Sequence, residues 1–492
     1  MKTRSITTGV LLRAFFLAGL LSLSLQGISQ NGGGTFVAGP LMNRTRIEPF
    51  LATLSDGRVA AFGGRESGFI SCEYADFYSP AANTFTEIPM NFPHDNSYAV
   101  KLFDGRYYII GGSMSLGVAP GYPSCEIFDP AANTFTTAGS MDYARMWMVG
   151  AQLNNGNILI AGAWYDNTAA GVGEYYDTAS HTYTLTNAVV VARSNPLMLP
   201  TTDGGAILFG GCPPFGGSVY TSVEYYSPSD NSFHSVSSEL MPSDPGWLVT
   251  GTPFHRRPYA DFRMSNGNYL IGASKPGEYA LLSFDPEAKS FTRISTAAPL
   301  MDAFTNGGFY DIVLNKTANV AYLLGVDSGF DPLRISVVQV NLTTGQVYHP
   351  GTTFTLPASE YLYPSIAYMP SNGKILLEGV SSTTGDYFHA TDKSYIITPS
   401  AALETGQIAA NDPNAVCYPN PATDQVNFKL ATGQTGSLEV RIYDILGRTI
   451  ENQFYTSAPS VISLPVRNLP AGMYFYEIRN NTSIVRDRFI KE

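Results

Sequence analysis

Charged residues are scarce in this sequence of 492 residues, at 14% of the chain, whereas soluble proteins average about 25%. The net charge is −11, from 29 Lys and Arg against 40 Asp and Glu, which argues against general nucleic-acid binding. Aromatic residues reach 12%, with 47 Gly and 32 Pro. A composition so rich in turn formers and aromatic residues favours β-strands, and it excludes coiled coils and disordered chains.

Long apolar runs are also few. Lys2 and Arg4 precede a short apolar stretch over residues 15–25, and small residues follow it before Gln30. This pattern is typical of a secretory signal peptide, here residues 1–29, and the stretch is too short to cross about 30 Å of hydrocarbon. No other stretch reaches 18 apolar residues, so the mature chain is predicted to have no transmembrane segment.

Cysteine is rare as well, with four residues: Cys72, Cys125, Cys212 and Cys417. Their spacing contains no CxxC or Cys/His pattern, so no metal site is predicted. Export would allow disulfides, whose pairing the sequence leaves open. Free, buried thiols are the other interpretation, because a large core does not need disulfides.

A tight turn followed by a strand recurs in the middle of the chain, with a period of about 50 residues. The turn position falls at residues 57, 105, 156, 204, 267, 319 and 373. Most copies carry Asp-Gly or Asn-Gly, which supply the positive φ of a hairpin, and β-branched or aromatic residues follow. About fifteen residues later, segments such as 78–85 and 128–135 predict a second hairpin around Asp, Pro and Asn.

These copies resemble kelch repeats. An acidic slot on the third strand holds Glu126, Glu174 and Glu224. A basic slot, eleven residues before the turn position, holds Arg46, His94, Arg145, Arg193 and Arg256. The resemblance covers residues 35–398 and weakens in the last copies, where Leu282 and Val338 replace the acidic residue. It implies an all-β fold, a seven-bladed kelch-type β-propeller over residues 30–400, whose last blade is completed by the N-terminal strand near residues 34–42.

The C-terminal segment has a different pattern. A small, polar linker is predicted over residues 401–416, followed by alternating apolar and polar residues that indicate a small immunoglobulin-like β-sandwich. Residues 418–424, 442–448 and 469–474 resemble the landmarks of the type IX secretion C-terminal sorting domain, here residues 417–492. The resemblance implies that the type IX machinery is a partner, and that the protein is released from, or attached to, the outer surface of a Gram-negative cell. A generic module with its own ligand is the alternative.

Long, varied loops would share one face of such a propeller, opposite the short turns, and binding residues usually lie on variable loops. The candidate ligand-binding residues on this face are His94, Arg145, Trp164, Asp166, Arg193, Trp247, His255 and Arg256. Aromatic rings with carboxylates and guanidinium groups suit a sugar or a peptide. The alternative is structural: the aromatics cap the blades and the arginines tie them together.

Catalytic motifs are missing. The sequence has no Gly-x-Ser-x-Gly elbow, His-Glu-x-x-His or phosphate loop. Tyr348 and His349 resemble part of the copper-binding set of galactose oxidase, but they fall on a predicted outer strand, so no catalytic residue, metal or cofactor is predicted. The leading hypothesis is an exported, non-enzymatic protein that binds a carbohydrate or a protein. The alternative is a secreted carbohydrate-active enzyme, either a hydrolase or an oxidase.

Overall fold

The computed structural model describes residues 34–68, 70–113, 121–249, 257–296, 300, 308–327, 334–348, 353–357, 360–382, 389–399, 415–430, 437–444, 449–457, 459–480 and 484–492. The predicted signal peptide and most of the predicted linker lie outside these residues. The chain divides into two compact units, Met1–Ser400 and Ala401–Glu492. Helical structure in the described residues is limited to short segments such as α1 (Asn167–Ala170) and a 3₁₀ turn, Tyr259–Phe262. None of the described helices has the length and apolar character needed to cross a membrane.

The first unit is built from short strands. In chain order they are β1 (Thr35–Ala38), β2 (Phe50–Thr53), β3 (Val59–Phe62), β4 (Arg65–Glu66), β5 (Ile70–Ser71), β6 (Tyr74–Ser79), β7 (Thr84–Pro89), β8 (Tyr98–Lys101), β9 (Tyr107–Ile110), β10 (Tyr122–Asp129), β11 (Thr134–Arg145), β12 (Val149–Gln152), β13 (Ile158–Ala161), β14 (Val172–Asp177), β15 (Thr182–Ala188), β16 (Leu197–Pro200), β17 (Ala206–Phe209), β18 (Val223–Ser227), β19 (Ser232–Ser237), β20 (Tyr269–Lys275), β21 (Glu278–Asp285), β22 (Ser290–Arg293), β23 (Gly308–Asn315), β24 (Val320–Asp327), β25 (Arg334–Asn341), β26 (Val347–Tyr348), β27 (Thr353–Thr355), β28 (Glu360–Met369), β29 (Lys374–Ser382), β30 (His389–Ala390) and β31 (Tyr395–Thr398).

Within the described residues these strands form seven antiparallel sheets of three to five strands, apart from a two-stranded ribbon of β4 and β5. In chain order the sheets are β2-β3-β6-β7, β8-β9-β10-β11, β12-β13-β14-β15, β16-β17-β18-β19, β20-β21-β22, β23-β24-β25-β26 with β27 beside β25, and β28-β29-β31-β1 with β30 beside β29. The protein is therefore all-β, as the composition predicts. In this part of the chain, four consecutive strands commonly make one sheet.

The turns have the backbone that the Asp-Gly and Asn-Gly pattern predicts. Gly57, Gly105 and Gly156 lie between the first and second strands of their sheets with φ of 88°, 89° and 89°. A side chain is strained in this left-handed region, so glycine fits the position without cost. Asp56 and Asp104 precede two of these glycines, and their carboxylates accept the backbone N–H two residues on.

The seventh sheet joins the two ends of the first unit. Strand β1 pairs antiparallel with β31, with Phe36 opposite Ile397 and Ala38 opposite Tyr395. The Phe36 ring stacks on Tyr395 with 4.6 Å between ring centroids. This is the pairing expected for the N-terminal strand near residues 34–42.

Aromatic rings pack neighbouring sheets against each other. Phe62 of the first sheet lies 5.5 Å, centroid to centroid, from Phe128 of the second, and Tyr108 of the second lies 4.9 Å from Tyr176 of the third. These side chains are buried. These aromatic side chains therefore bury apolar area between sheets, which stabilises the fold by roughly 25 cal/mol per Å².

The second unit has its own core. Its strands are β32 (Ala415–Tyr418), β33 (Gln425–Leu430), β34 (Leu438–Tyr443), β35 (Thr449–Tyr455), β36 (Val461–Pro465), β37 (Gly472–Asn480) and β38 (Ile484–Lys491). They form two sheets, β32-β33-β36 and β35-β34-β37-β38. Phe428 of the first sheet contacts Tyr476 of the second, with 4.4 Å between centroids, so the two sheets share one apolar interior. Strand β32 includes the last two residues of the predicted linker.

Candidate ligand-binding surface

The basic slot of the repeat is fully buried where the structure describes it. Arg145 Nε donates to Glu174 at 2.9 Å, and Arg193 Nη2 donates to Glu224 at 2.6 Å. His94 has the same place in the second sheet, with Nε2 2.9 Å from Glu126 and Nδ1 2.6 Å from a backbone oxygen. Each pair ties the residue before a first strand to the third strand of the same sheet. These contacts are the ones expected if the side chains have a structural role and hold the strands together. Because the side chains are buried, they would affect a ligand only through neighbouring residues.

The fifth copy differs from the sequence pattern. His255 and Arg256 lie outside the described residues. The next residue, Arg257, is buried, forms an ion pair with Asp311 on β23 of the sixth sheet, and places its guanidinium 4.8 Å from the Phe262 ring centroid. Arg257 thus pairs with a carboxylate of the neighbouring sheet, and the acidic slot of its own sheet holds Leu282.

Trp247 is also internal. Its ring is fully buried, and its indole N–H donates to Asp244 at 2.8 Å. Lys275 and Arg293 lie against the ring, at 4.5 and 5.4 Å from its centroid. These contacts secure a loop and leave no face of the ring for a ligand.

Trp164 is half-buried and belongs to an aromatic surface that is partly exposed. Four rings form a row: Trp147 lies 4.7 Å from Trp164, Trp164 lies 5.1 Å from Tyr165, and Tyr165 lies 5.8 Å from Phe215, all between centroids. Tyr165 is 42% exposed and Phe215 is 59% exposed. We call these four residues the aromatic row.

Backbone hydrogen bonds hold the loops of the aromatic row together. The Trp164 N–H donates to Met146 O at 3.0 Å, and the Tyr165 N–H donates to Pro214 O at 2.8 Å. Asp166 then caps α1, because its Oδ1 accepts the N–H groups of Thr168 and Ala169 at 2.8 and 3.0 Å. Contacts that fix the backbone in this way reduce the entropy lost when a ligand binds.

Trp147 has an unfavourable backbone for its side chain. Its φ is 55°, and the equivalent positions before the neighbouring first strands hold Asn96 and Asn195, with φ of 53° and 51°. The Trp147 N–H donates to Asn96 O, and the Asn195 N–H donates to Trp147 O, both at 2.9 Å. The three positions thus share these backbone hydrogen bonds and a positive φ, and Asn adopts such a φ with less strain than Trp. Trp147 keeps this strained backbone next to a second tryptophan, and this indicates that its ring has a function.

The sequence selected Trp164 and Asp166 as candidates on the long loops, but it did not select Phe215. Phe215 follows Pro213 and Pro214 and precedes two glycines. An aromatic residue between prolines and glycines in a long loop is a signal of exposure that could have found it.

Titratable groups elsewhere in the described residues do not add a metal site. Among the described residues, no three His, Cys, Asp or Glu side chains lie close enough together to hold a metal ion. Cys72, Cys125 and Cys212 are free thiols. Burial raises the pKa of Cys72 and of Cys125 to about 11, so both thiols stay protonated and unreactive at neutral pH.

Comparison with known proteins gives a clear result for the C-terminal unit alone. No curated protein matches the chain. One similar solved structure is described as a novel fungal alcohol oxidase with catalytic diversity among the AA5 family, in complex with copper; it is 12% identical, with a TM-score of 0.49, and the match covers 94% of this chain and 99% of that one. Residues 416–492 match the family model of the secretion system C-terminal sorting domain. The chain therefore carries a type IX secretion C-terminal sorting domain, which marks it as a secreted protein.

Proposed function

We propose that the protein is an exported carbohydrate-binding protein, in which the first unit recognises the ligand and the sorting domain directs secretion. The observation that carries the proposal is the aromatic row. Sugar rings have apolar faces that stack on aromatic side chains, and four neighbouring rings provide a platform for more than one sugar. A peptide ligand is the second ligand class that such a surface suits.

The architecture that we propose for the first unit, residues 30–400, is a seven-bladed kelch-type β-propeller. Support comes from the succession of seven sheets, from the β1–β31 pairing, and from the packing of β8 against β12 and of β12 against β16, the first strands of successive sheets. For residues 417–492 we propose an immunoglobulin-like sandwich after a linker at 401–416. The aromatic row would then lie on the long-loop face, where binding residues are usually found.

The destination follows from the sorting domain. We propose that a signal peptide at residues 1–29 directs the first export step, and that the type IX machinery then moves the chain across the outer membrane of a Gram-negative cell. The mature protein would be released or attached to the outer surface. Either destination places the aromatic row in contact with extracellular glycans.

A glycan array followed by calorimetric titration of the best neutral oligosaccharide tests the function. Trp164→Ala is expected to weaken binding by about 10- to 30-fold, since losing a central aromatic contact costs roughly 1.5–2 kcal/mol. Phe454→Ala is the matched control, because Phe454 is an aromatic residue of the second unit that is 74% exposed. Equal affinity of Trp164→Ala and wild type would contradict the proposal. Turnover of a polysaccharide without stable binding would favour the enzyme alternative.

A further inference from the structure

Two cavities open at the other end of the first strands from the aromatic row. Strand β12 starts two residues after Trp147 and ends at Gln152, which lines a cavity of about 390 Å³. A second cavity, of about 330 Å³, is lined by residues that include Lys101, Asp261, Lys316 and Tyr368. Both volumes are in the range of small-molecule sites, roughly 300–1,000 Å³. Lys101 lines both cavities.

The wall between the cavities is the 3₁₀ turn Tyr259–Phe262, which stands where the other sheets have a first strand. The buried Tyr259 hydroxyl donates to Gln152 O at 3.2 Å. Lys316 Nζ donates to Ala260 O at 2.8 Å from the opposite side. Hydrogen bonds therefore hold the turn to residues of the third and sixth sheets. The turn keeps a fixed position between the two cavities.

The charge of this region is opposite to that of the whole chain. Lys101, Arg263 and Lys316 contribute three cations to the cavity walls, and Asp261 is the carboxylate among them. Arg257 also lines the smaller cavity, but its charge is compensated by Asp311. In a chain of net charge −11, a local excess of cations attracts anions.

These cations have little internal compensation. In the described part of the chain, no carboxylate lies within ion-pair distance of Lys101, Arg263 or Lys316. Lys316 is exposed to solvent, yet surrounding protein desolvates its ammonium group and lowers its pKa. Burial raises the pKa of Asp261, against the attraction of Lys316 and Lys101. A concave site whose cations form no ion pair is suited to receive an anion.

We propose that the smaller of these cavities, which Lys101, Lys316 and Asp261 all line, is a second binding site, for an acidic sugar that carries a carboxylate or sulfate group. Lys101 and Lys316 bind the anionic group, and Asp261 accepts a hydrogen bond from a neighbouring hydroxyl. The Asp261 carboxylate disfavours a ligand that is anionic throughout, such as a free phosphate. The site lies at the end of the strands opposite the aromatic row, so it does not depend on the proposed function of that row.

Calorimetric titration of the purified full chain tests the proposal with three probes: trigalacturonic acid, a sulfated galactose disaccharide without a carboxylate, and a neutral galactose trisaccharide. At least one acidic probe is expected to bind, more weakly as NaCl rises from about 50 to 500 mM, and which one binds distinguishes carboxylate from sulfate. Lys101→Ala/Lys316→Ala should lose about 10-fold or more in affinity, whereas Lys101→Arg/Lys316→Arg should stay within about 3-fold of wild type. Equal thermal unfolding of the variants shows that folding is retained.

Three results would overturn the proposal: no binding of either acidic probe, equal binding of the neutral trisaccharide, or unchanged affinity in the double alanine variant. Trp164→Ala separates this site from the aromatic row. It should leave acidic-sugar binding unchanged, and loss of that binding would place the ligand on the aromatic row instead. The experiments therefore distinguish a failure of the acidic-sugar proposal from a failure of the proposal for the aromatic row.

Discussion

A buried glutamate in the seventh sheet makes the stability of the first unit depend on pH. Glu378 lies on β29, is fully buried, and neither of its carboxylate oxygens has a hydrogen-bond partner among the described residues. Burial raises its pKa from 4.5 to about 8, with attraction from Arg46 and repulsion from Asp76 as smaller effects. A carboxyl group with a raised pKa favours the folded state at low pH, because the unfolded chain releases its proton first.

The magnitude follows from the two pKa values. Stability is highest below pH 4.5, falls as pH rises through the interval to about 8, and is constant above it. At about 1.4 kcal/mol per pKa unit, ionisation in the unfolded state at pH 7 costs the folded state about 3 kcal/mol. Glu378→Gln removes that cost. With an unfolding entropy of roughly 2 cal/mol/K per residue, Tm of this unit should rise by about 4 °C at pH 7.

Thermal unfolding followed by tryptophan fluorescence is the assay. The three tryptophans, at positions 147, 164 and 247, all belong to the first unit, so the signal reports that unit alone. At pH 5 Glu378→Gln and wild type should differ by less than about 1 kcal/mol, and the difference should grow between pH 5 and 7.

Glu174→Gln is the matched control for this experiment. It also replaces a fully buried carboxylate, but it leaves Arg145 without its partner, so a loss of about 3–5 kcal/mol is expected at both pH values. A Glu378→Gln variant that is less stable than wild type at pH 7, or whose advantage does not change with pH, would refute the reasoning.

Three further predictions concern the aromatic row and the thiols. Trp164→Ala should weaken neutral oligosaccharide binding by about 10-fold or more in calorimetry, and unchanged affinity would contradict the assignment. Trp147→Asn should be about 1 kcal/mol more stable than Trp147→Ala in urea unfolding, because Asn tolerates φ near 55°. Equal stability of the two variants would contradict the strain argument. Both variants should bind glycans more weakly than wild type. Cys72 and Cys125 should not react with a thiol reagent at pH 8 until the protein unfolds, so immediate reaction of all four thiols would show that this core is open.

Much of the fold could be predicted from the sequence because its signals are local. The turn at Gly57 needs a positive φ. The Asp-Gly pair predicts this conformation from two adjacent residues alone. The β1–β31 pairing joins distant residues, but the resemblance of the repeats to a known family implied it. The C-terminal landmarks were likewise short and ordered, and the family match confirms the sorting domain.

The site was less predictable because exposure depends on three-dimensional contacts. Trp164 and Trp247 both occur in long loops, yet Trp164 joins the exposed row and Trp247 is fully buried against Lys275. No local pattern separates them. The 3₁₀ turn Tyr259–Phe262 replaces an expected first strand, and the cavities on either side of it depend on residues from several sheets. The position of Lys101 between them follows from tertiary packing alone.

The β1–β31 pairing has a consequence for how the chain folds. Until β1 is captured, β31 presents a row of unpaired backbone groups, and such an edge can pair with another chain and start aggregation. Capture must wait until residues near 395 are available, so the closing step joins segments of very large sequence separation and is expected to be slow. Capture of β1 by β31 is therefore as much a condition for this fold as its core.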